Sequence, residues 1–310
     1  MNFDNLINPI NKKKIDANNI NYFSEIPDLY YDDKNSITST QSEFYNDVKF
    51  PNYDDIDNFG TLLDKSSKSI FAKKLDEEIP YHSRVLEAGC GTGQLSISLS
   101  RYGRKIHSID LSKGSLIEAN NFIKKNEIKN VQLYRMNIFN LCFPKNYFDI
   151  IISNGVLHHT HNPKLAFNNL SECLKPNGIV VIGLYHKYGR IVQNIRQFLI
   201  KIFGEKIKHI DRRFSENFSD KKKYAWFKDQ YNNPHETKHS YNEVIDWFNH
   251  NNIEFVNSIP FNFEVNDRLF SKKEKISKPE IFLKELSLIF NLRQIYEGGF
   301  FVMIGKKKSN

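Results

Sequence analysis

Glu87, Gly89, Gly91 and Gly93 fall within one short stretch, V-L-E-A-G-C-G-T-G, over residues 85–93. Glycines at alternate positions let a ligand come against the main chain where a side chain would block it. An apolar run at 84–88 leads into them, and Leu95, Leu99 and Tyr102 come after at helical spacing, so the loop joins a strand to a helix N-terminus. Such an N-terminus offers free N–H donors and partial positive charge. The dinucleotide fingerprint G-x-G-x-x-G is not met, because Gln94 stands where its third glycine belongs. Glu87 beside the loop would repel a pyrophosphate and favours a ligand with cationic groups, such as an ammonium and a sulfonium. Asp110 ends the next strand, whose earlier residues are 105–109, where an acid can take both hydroxyls of a ribose.

Four stretches then line up in order: E-A-G-C-G-T-G, S-I-D-L-S (108–112), F-D-I-I-I-S-N-G-V-L-H-H-T (148–160) and L-K-P-N-G (174–178). Together they resemble a class I, Rossmann-like S-adenosylmethionine (SAM)-dependent methyltransferase, closest to the broad small-molecule and quinone-biosynthesis group. The likeness is strong over residues 61–186 and weak beyond. It implies SAM as cofactor, with Glu87, Gly89, Gly91 and Gly93 at the methionine end, Asp110 on the ribose and Leu111 against the adenine. Asn137 and Ile138 fall where the family usually has an acid for the adenine amino group; the Asn137 carbonyl can accept that bond without the charge. Asn154 is placed at the methionine and substrate side.

Methyl transfer from a sulfonium needs alignment and exclusion of water more than covalent help. An oxygen or nitrogen nucleophile also needs a base near neutral pH. His159 is the candidate, since histidine titrates in that range. His158, His159 and His161 form H-H-T-H, but no carboxylate or thiolate stands beside them and their spacing suits no preferred zinc site, so no metal is expected. His158 reads as a pocket or packing residue. Tyr185, Tyr188 and Arg190, just past a strand end, face the substrate or anchor the inserted helix. Tyr45 and Tyr53 lie in the aromatic, acidic stretch 41–57; the family resemblance implies that this segment closes over SAM, the alternative being simple packing.

The elements that must hold these residues alternate. Helices are expected at 59–75, after Ser112 to about 126, at 163–174 and at 241–251, with strands at 84–88, 105–110, 131–135, 148–153, 178–185, 254–259 and 300–304. That order predicts an α/β three-layer sandwich, mostly parallel, and the resemblance implies an antiparallel C-terminal hairpin. Residues 1–60 form an arm ahead of a methyltransferase domain at 61–310. Residues 6–30 resemble a zinc-ribbon-like accessory module without its cysteines; the other reading is an extended arm packed on the core. Insertions interrupt the domain at 186–240 and 261–297. The first opens with an amphipathic helix at 190–203, whose Ile195, Phe198 and Ile202 share a stripe opposite Arg196 and Lys201. It reads as a lid turned inward over the pocket, with a membrane-surface helix or a dimer contact as alternatives.

Composition narrows the classes. Three dispersed cysteines exclude a disulfide scaffold or zinc ribbon and fit a reducing compartment. The first residues do not read as a signal peptide, and no apolar run approaches the roughly 20 residues of a membrane span, so a cytoplasmic protein is expected. The net charge of +8 is uneven, because residues 1–60 carry eleven acids against five lysines. A chain rich in Asn, Lys and Ile acquires such a charge without a nucleic-acid partner. The expected activity is methyl transfer to a small-molecule acceptor. An RNA or protein methyltransferase is the alternative, although Ser153-Asn154-Gly155-Val156 replaces the N-P-P-Y-type signature of base-amino methyltransferases. A non-catalytic SAM-binding partner is the other.

Overall fold

The computed structural model describes residues 5–204, 210–211, 214, 219–261, 264, 266–289 and 299–309. Its N-terminal part forms a hairpin of β1 (Asn21–Phe23) and β2 (Ile26–Leu29), followed by helix α1 (Ser36–Asp47). Two helices then precede the glycine loop, α2 (Phe59–Lys68) and α3 (Ile70–Glu78). The single helix expected at 59–75 is broken because Ser69 adopts extended backbone (φ −86°, ψ 115°), and its side chain caps α3 through the Ala72 N–H.

The alternating part runs β3 (Arg84–Ala88), α4 (Gln94–Ser98), β4 (Lys105–Asp110), α5 (Lys113–Lys125), β5 (Val131–Met136), β6 (Phe148–Asn154), α6 (Pro163–Cys173) and β7 (Leu174–Tyr185). Ser112 caps α5, and Pro163 opens α6 where its missing N–H costs nothing. Helices α7 (Ile191–Phe203), α8 (Asp220–Tyr231) and α9 (Tyr241–His250) separate β7 from β8 (Ile253–Ile259); α10 (Lys278–Ser287) precedes β9 (Phe300–Lys307).

These strands make a nine-stranded sheet in the order β1-β2-β5-β4-β3-β6-β7-β9-β8. The strands from β2 to β7 run parallel, while β9 lies antiparallel between β7 and β8, as an α/β methyltransferase fold with an antiparallel C-terminal end requires. Residues 21–29 are more than an arm: β2 extends the parallel sheet by pairing with β5 at Asp28–Arg135 and Leu29–Met136. Consecutive strand residues feed opposite layers, so Val85 joins one hydrophobic core and Leu86 the other, both fully buried.

One charged side chain is built into that frame. Arg104 has no exposed surface, yet its guanidinium donates to Asp76 Oδ1 (2.7 Å) and to the carbonyls of Asp76 (2.6 Å), Ile79 (2.7 Å) and Leu99 (3.3 Å). It ties α3 and the end of α4 to the edge of β4, presenting the glycine loop at a fixed height. Arg104→Ala should lower the unfolding free energy by roughly 3–5 kcal/mol, the scale for breaking a buried ion pair. An unshifted urea midpoint would show that the frame stands without it.

Candidate active site

The carboxyl ends of β3, β4 and β6 open into a cavity of about 540 Å³. Open α/β sheets bind ligands at strand ends of this kind. Glu87, Gly89, Gly91, Asp110, Leu111, Ile138 and Asn154 line it, as do Tyr45, His159 and Tyr185. Gly91 has φ +53°, and a Cβ there would sit 2.3 Å from the Phe50 carbonyl oxygen; only glycine fits. The chain before the core is thus pressed against the loop. Thr92 donates its hydroxyl to the Pro51 carbonyl, and Gln94 Nε2 donates to the Asn52 carbonyl (2.7 Å).

Two carboxyl side chains shape the glycine-loop end of the cavity. Asp110 accepts from Gly91 N–H (2.7 Å) through one oxygen and from Ser112 N–H (2.8 Å) through the other. Burial pushes its pKa up against these bonds. Glu87 accepts from the N–H and the hydroxyl of Ser96. Burial outweighs those bonds and raises its pKa to about 7. Asn154 Oδ1 is buried without a hydrogen-bond partner among the described residues, and it lies so close to β7 that residue 183 must be glycine. A carbonyl without a partner among the described residues, a glycine cradle and a carboxyl group that becomes anionic near pH 7 fit a ligand carrying an ammonium and a ribose.

Tyr45 donates to Asp229 Oδ1 (2.9 Å) and accepts from Asn233 Nδ2 (3.0 Å). Gln230 Nε2 donates to the Tyr185 hydroxyl (2.7 Å) and to Asp229 Oδ2 (2.7 Å). His159 Nδ1 lies 2.9 Å from the His235 carbonyl; since a carbonyl only accepts, Nδ1 carries a proton, and in the neutral ring the lone pair is on Nε2.

Several expected site residues stand elsewhere. Asn137 is outside the lining: its Oδ1 accepts from Phe139 N–H (3.0 Å), closing the turn after β5, so Met136 and Ile138 form the wall there. Gly93 caps α4 with φ +77° rather than lining the cavity. His158 is fully buried outside the lining, its ring 3.9 Å from that of Tyr185. Burial and the neighbouring His159 and Arg190 push its pKa well down, so it stays neutral. Arg190 is buried behind the wall, stacked 3.9 Å from the Tyr185 ring and donating to Gln230 Oε1 and Glu236 Oε2, both at 2.7 Å. Tyr188 is also outside the lining, with its N–H on His186. The three histidines turn to different partners, His161 to Asp33 (3.1 Å).

The inserted helix expected to roof the pocket is not the one that does. Helix α7 carries Ile195, Phe198, Ile202 and Phe203 outward, each more than half exposed. Its inward side is mixed: Gln193 and Ile200 are buried, and Gln197 Nε2 donates to the Gln230 carbonyl (2.7 Å). The roof is α8, which supplies Trp226, Asp229 and Gln230. Its run Y-A-W-F-K-D-Q-Y over residues 224–231 has no clean apolar stripe; a lone acid among aromatics was its only signal. Gln41 and Phe300 were likewise missed, lying at the two ends of the chain.

A family model described as a methyltransferase domain matches residues 86–182. Ubiquinone biosynthesis O-methyltransferases are among the relatives. That of Bradyrhizobium diazoefficiens is 28% identical over 121 residues, 39% of this chain and 45% of the relative. That of Rickettsia typhi is 30% identical over 104 residues, 34% of this chain and 42% of the relative. The matched stretch thus spans less than half of either enzyme. Among solved structures, PKMT2 of Rickettsia typhi in complex with AdoHcy superposes with a TM-score of 0.54 at 16% identity, over 78% of this chain and 53% of that one. Phosphoethanolamine N-methyltransferase 2 of Haemonchus contortus in complex with SAM superposes at 0.51 and 15% identity, over 87% and 60%. With the four motifs in place on the sheet those structures share, residues 86–182 carry a methyltransferase domain of the class I, SAM-dependent kind.

Proposed function

We propose that the chain transfers the methyl group of SAM to a small-molecule acceptor. The observation that supports this reading is one cavity that continues from Glu87 and the glycine loop to Tyr45, His159 and Tyr185 beneath α8. Its volume of about 540 Å³ lies within the roughly 300–1,000 Å³ of small-molecule sites. The two relatives named above are O-methyltransferases of ubiquinone biosynthesis, each matched over less than half of its length.

Glu87 and the glycine loop would hold the methionine end of SAM, Asp110 the ribose, and Leu111 with Ile138 the adenine. Bound there, SAM supplies a methyl group already attached to a good leaving group. This chain's residues then align the acceptor, exclude water through the Phe50–Pro51 segment and α8, and take up a proton at His159 Nε2.

Three outcomes test the reading. Glu87 changes charge near pH 7, and only its anionic form attracts an ammonium, so SAM affinity should rise as pH increases from 6 to 8. Below the pKa the loss approaches about tenfold per pH unit. Calorimetry on Glu87→Gln should show that slope flattened; an equally steep slope would move the titration to another group. Asp110→Ala should weaken SAM binding by about 1.5–3 kcal/mol, the scale of hydrogen bonds to a charged group. Unchanged affinity would remove the ribose assignment. His159→Ala should lower turnover roughly 10²–10⁴-fold while leaving SAM affinity nearly intact. Near-normal turnover would leave positioning alone as the source of catalysis.

A further inference from the structure

Asp229 is 5% exposed, yet it lines the cavity. Its carboxylate accepts from the Tyr45 hydroxyl and the Gln230 amide, both neutral, and no ion pair joins it to a cation among the described residues. The nearby guanidinium of Arg190 is committed to Glu236 and Gln230. Two neutral donors leave half of the carboxylate's acceptor capacity unused, and a buried charge so incompletely paired is costly unless a ligand completes it. The walls beside it are aromatic: Tyr45, Tyr185, Trp226 and Phe300 line the same cavity. A carboxylate set among aromatic faces attracts one chemical class, an organic cation, by charge and by cation–π contact.

We propose that the acceptor is an amine, recognised as a cation by Asp229 and these rings. This rests on the proposed methyl transfer to a small molecule and names its substrate class. The ammonium form binds at Asp229, and for reaction the nitrogen gives up one proton to His159 Nε2. Its freed lone pair forms the new N–C bond as the S–C bond breaks, with that bonding pair passing to sulfur. The products are a methylated ammonium and S-adenosylhomocysteine, so atoms and charge balance. The same carboxylate repels acceptors that carry a carboxylate or phosphate at this end of the cavity.

Tetramethylammonium and its neutral counterpart tert-butanol separate charge recognition from simple fit. Both are titrated against the whole chain saturated with S-adenosylhomocysteine, with binding followed by calorimetry or ligand NMR. The expected result is binding of tetramethylammonium and none of tert-butanol at equal concentration. Asp229→Asn should weaken tetramethylammonium about tenfold or more, and Trp226→Leu should weaken it less, each with S-adenosylhomocysteine affinity retained as proof of folding. Equal binding of the two probes by the parent chain overturns the proposal, as does undiminished cation affinity in Asp229→Asn. Should that variant fail to fold, the parent's discrimination between the probes still decides. Failure of the parent to bind S-adenosylhomocysteine would sink the methyltransferase reading itself, whereas firm cofactor binding without cation preference sinks only the amine.

Discussion

The carboxylate of Asp110 at the end of β4 holds two turns at once, taking the Gly91 N–H of the β3–α4 loop and the Ser112 N–H that begins α5. Neither turn could keep its shape at the open end of a parallel sheet without an acceptor for those donors. Because both bonds converge on one side chain, the mouth of the cavity is pinned where adjacent strands end together. The glycine loop then accepts the Phe50 carbonyl against Gly91, which draws residues 50–52 across the opening. The shape of the glycine loop and the covering of the cavity by residues 50–52 are therefore a single packing arrangement.

Polarity divides the cavity. At the glycine-loop end lies Glu87, which burial brings to the edge of ionisation near pH 7, together with the Asn154 carbonyl, unpaired among the described residues. At the far end, α1 and α8 meet through Tyr45 and Asp229, and Arg190 braces that wall from behind by stacking on Tyr185 and gripping Gln230. A guanidinium in this position orders the wall without offering its charge to the cavity. The two ends thus ask for different chemistry, although one continuous surface lines them.

Helix α7 shows how a correct pattern can be misplaced. The spacing of Ile195, Phe198 and Ile202 puts them on one face, and they do share one. Periodicity fixes which residues lie together; it does not say which way the face turns. Here the polar side of α7 finds partners on α8, through Gln197 and the Gln230 carbonyl, and the apolar face turns to solvent. The roof falls to α8, where hydrogen bonds to Tyr45 and Tyr185 replace an apolar stripe.

The cofactor end and the sheet are legible in the chain without any fold. Alternating strands and helices are written in local periodicity, and a glycine loop followed by an acid at the next strand end is a local device whose parts lie within about 25 residues. The far end of the cavity is a product of tertiary packing. Tyr45 and Asp229 are 184 residues apart, and Phe300 comes from the last strand. Their meeting depends on contact between distant segments, for which no spacing rule exists. Asn137 differs for a local reason: it stands where the family usually has an acid, but its side-chain carbonyl closes its own turn on the Phe139 N–H two residues on instead of facing the cavity.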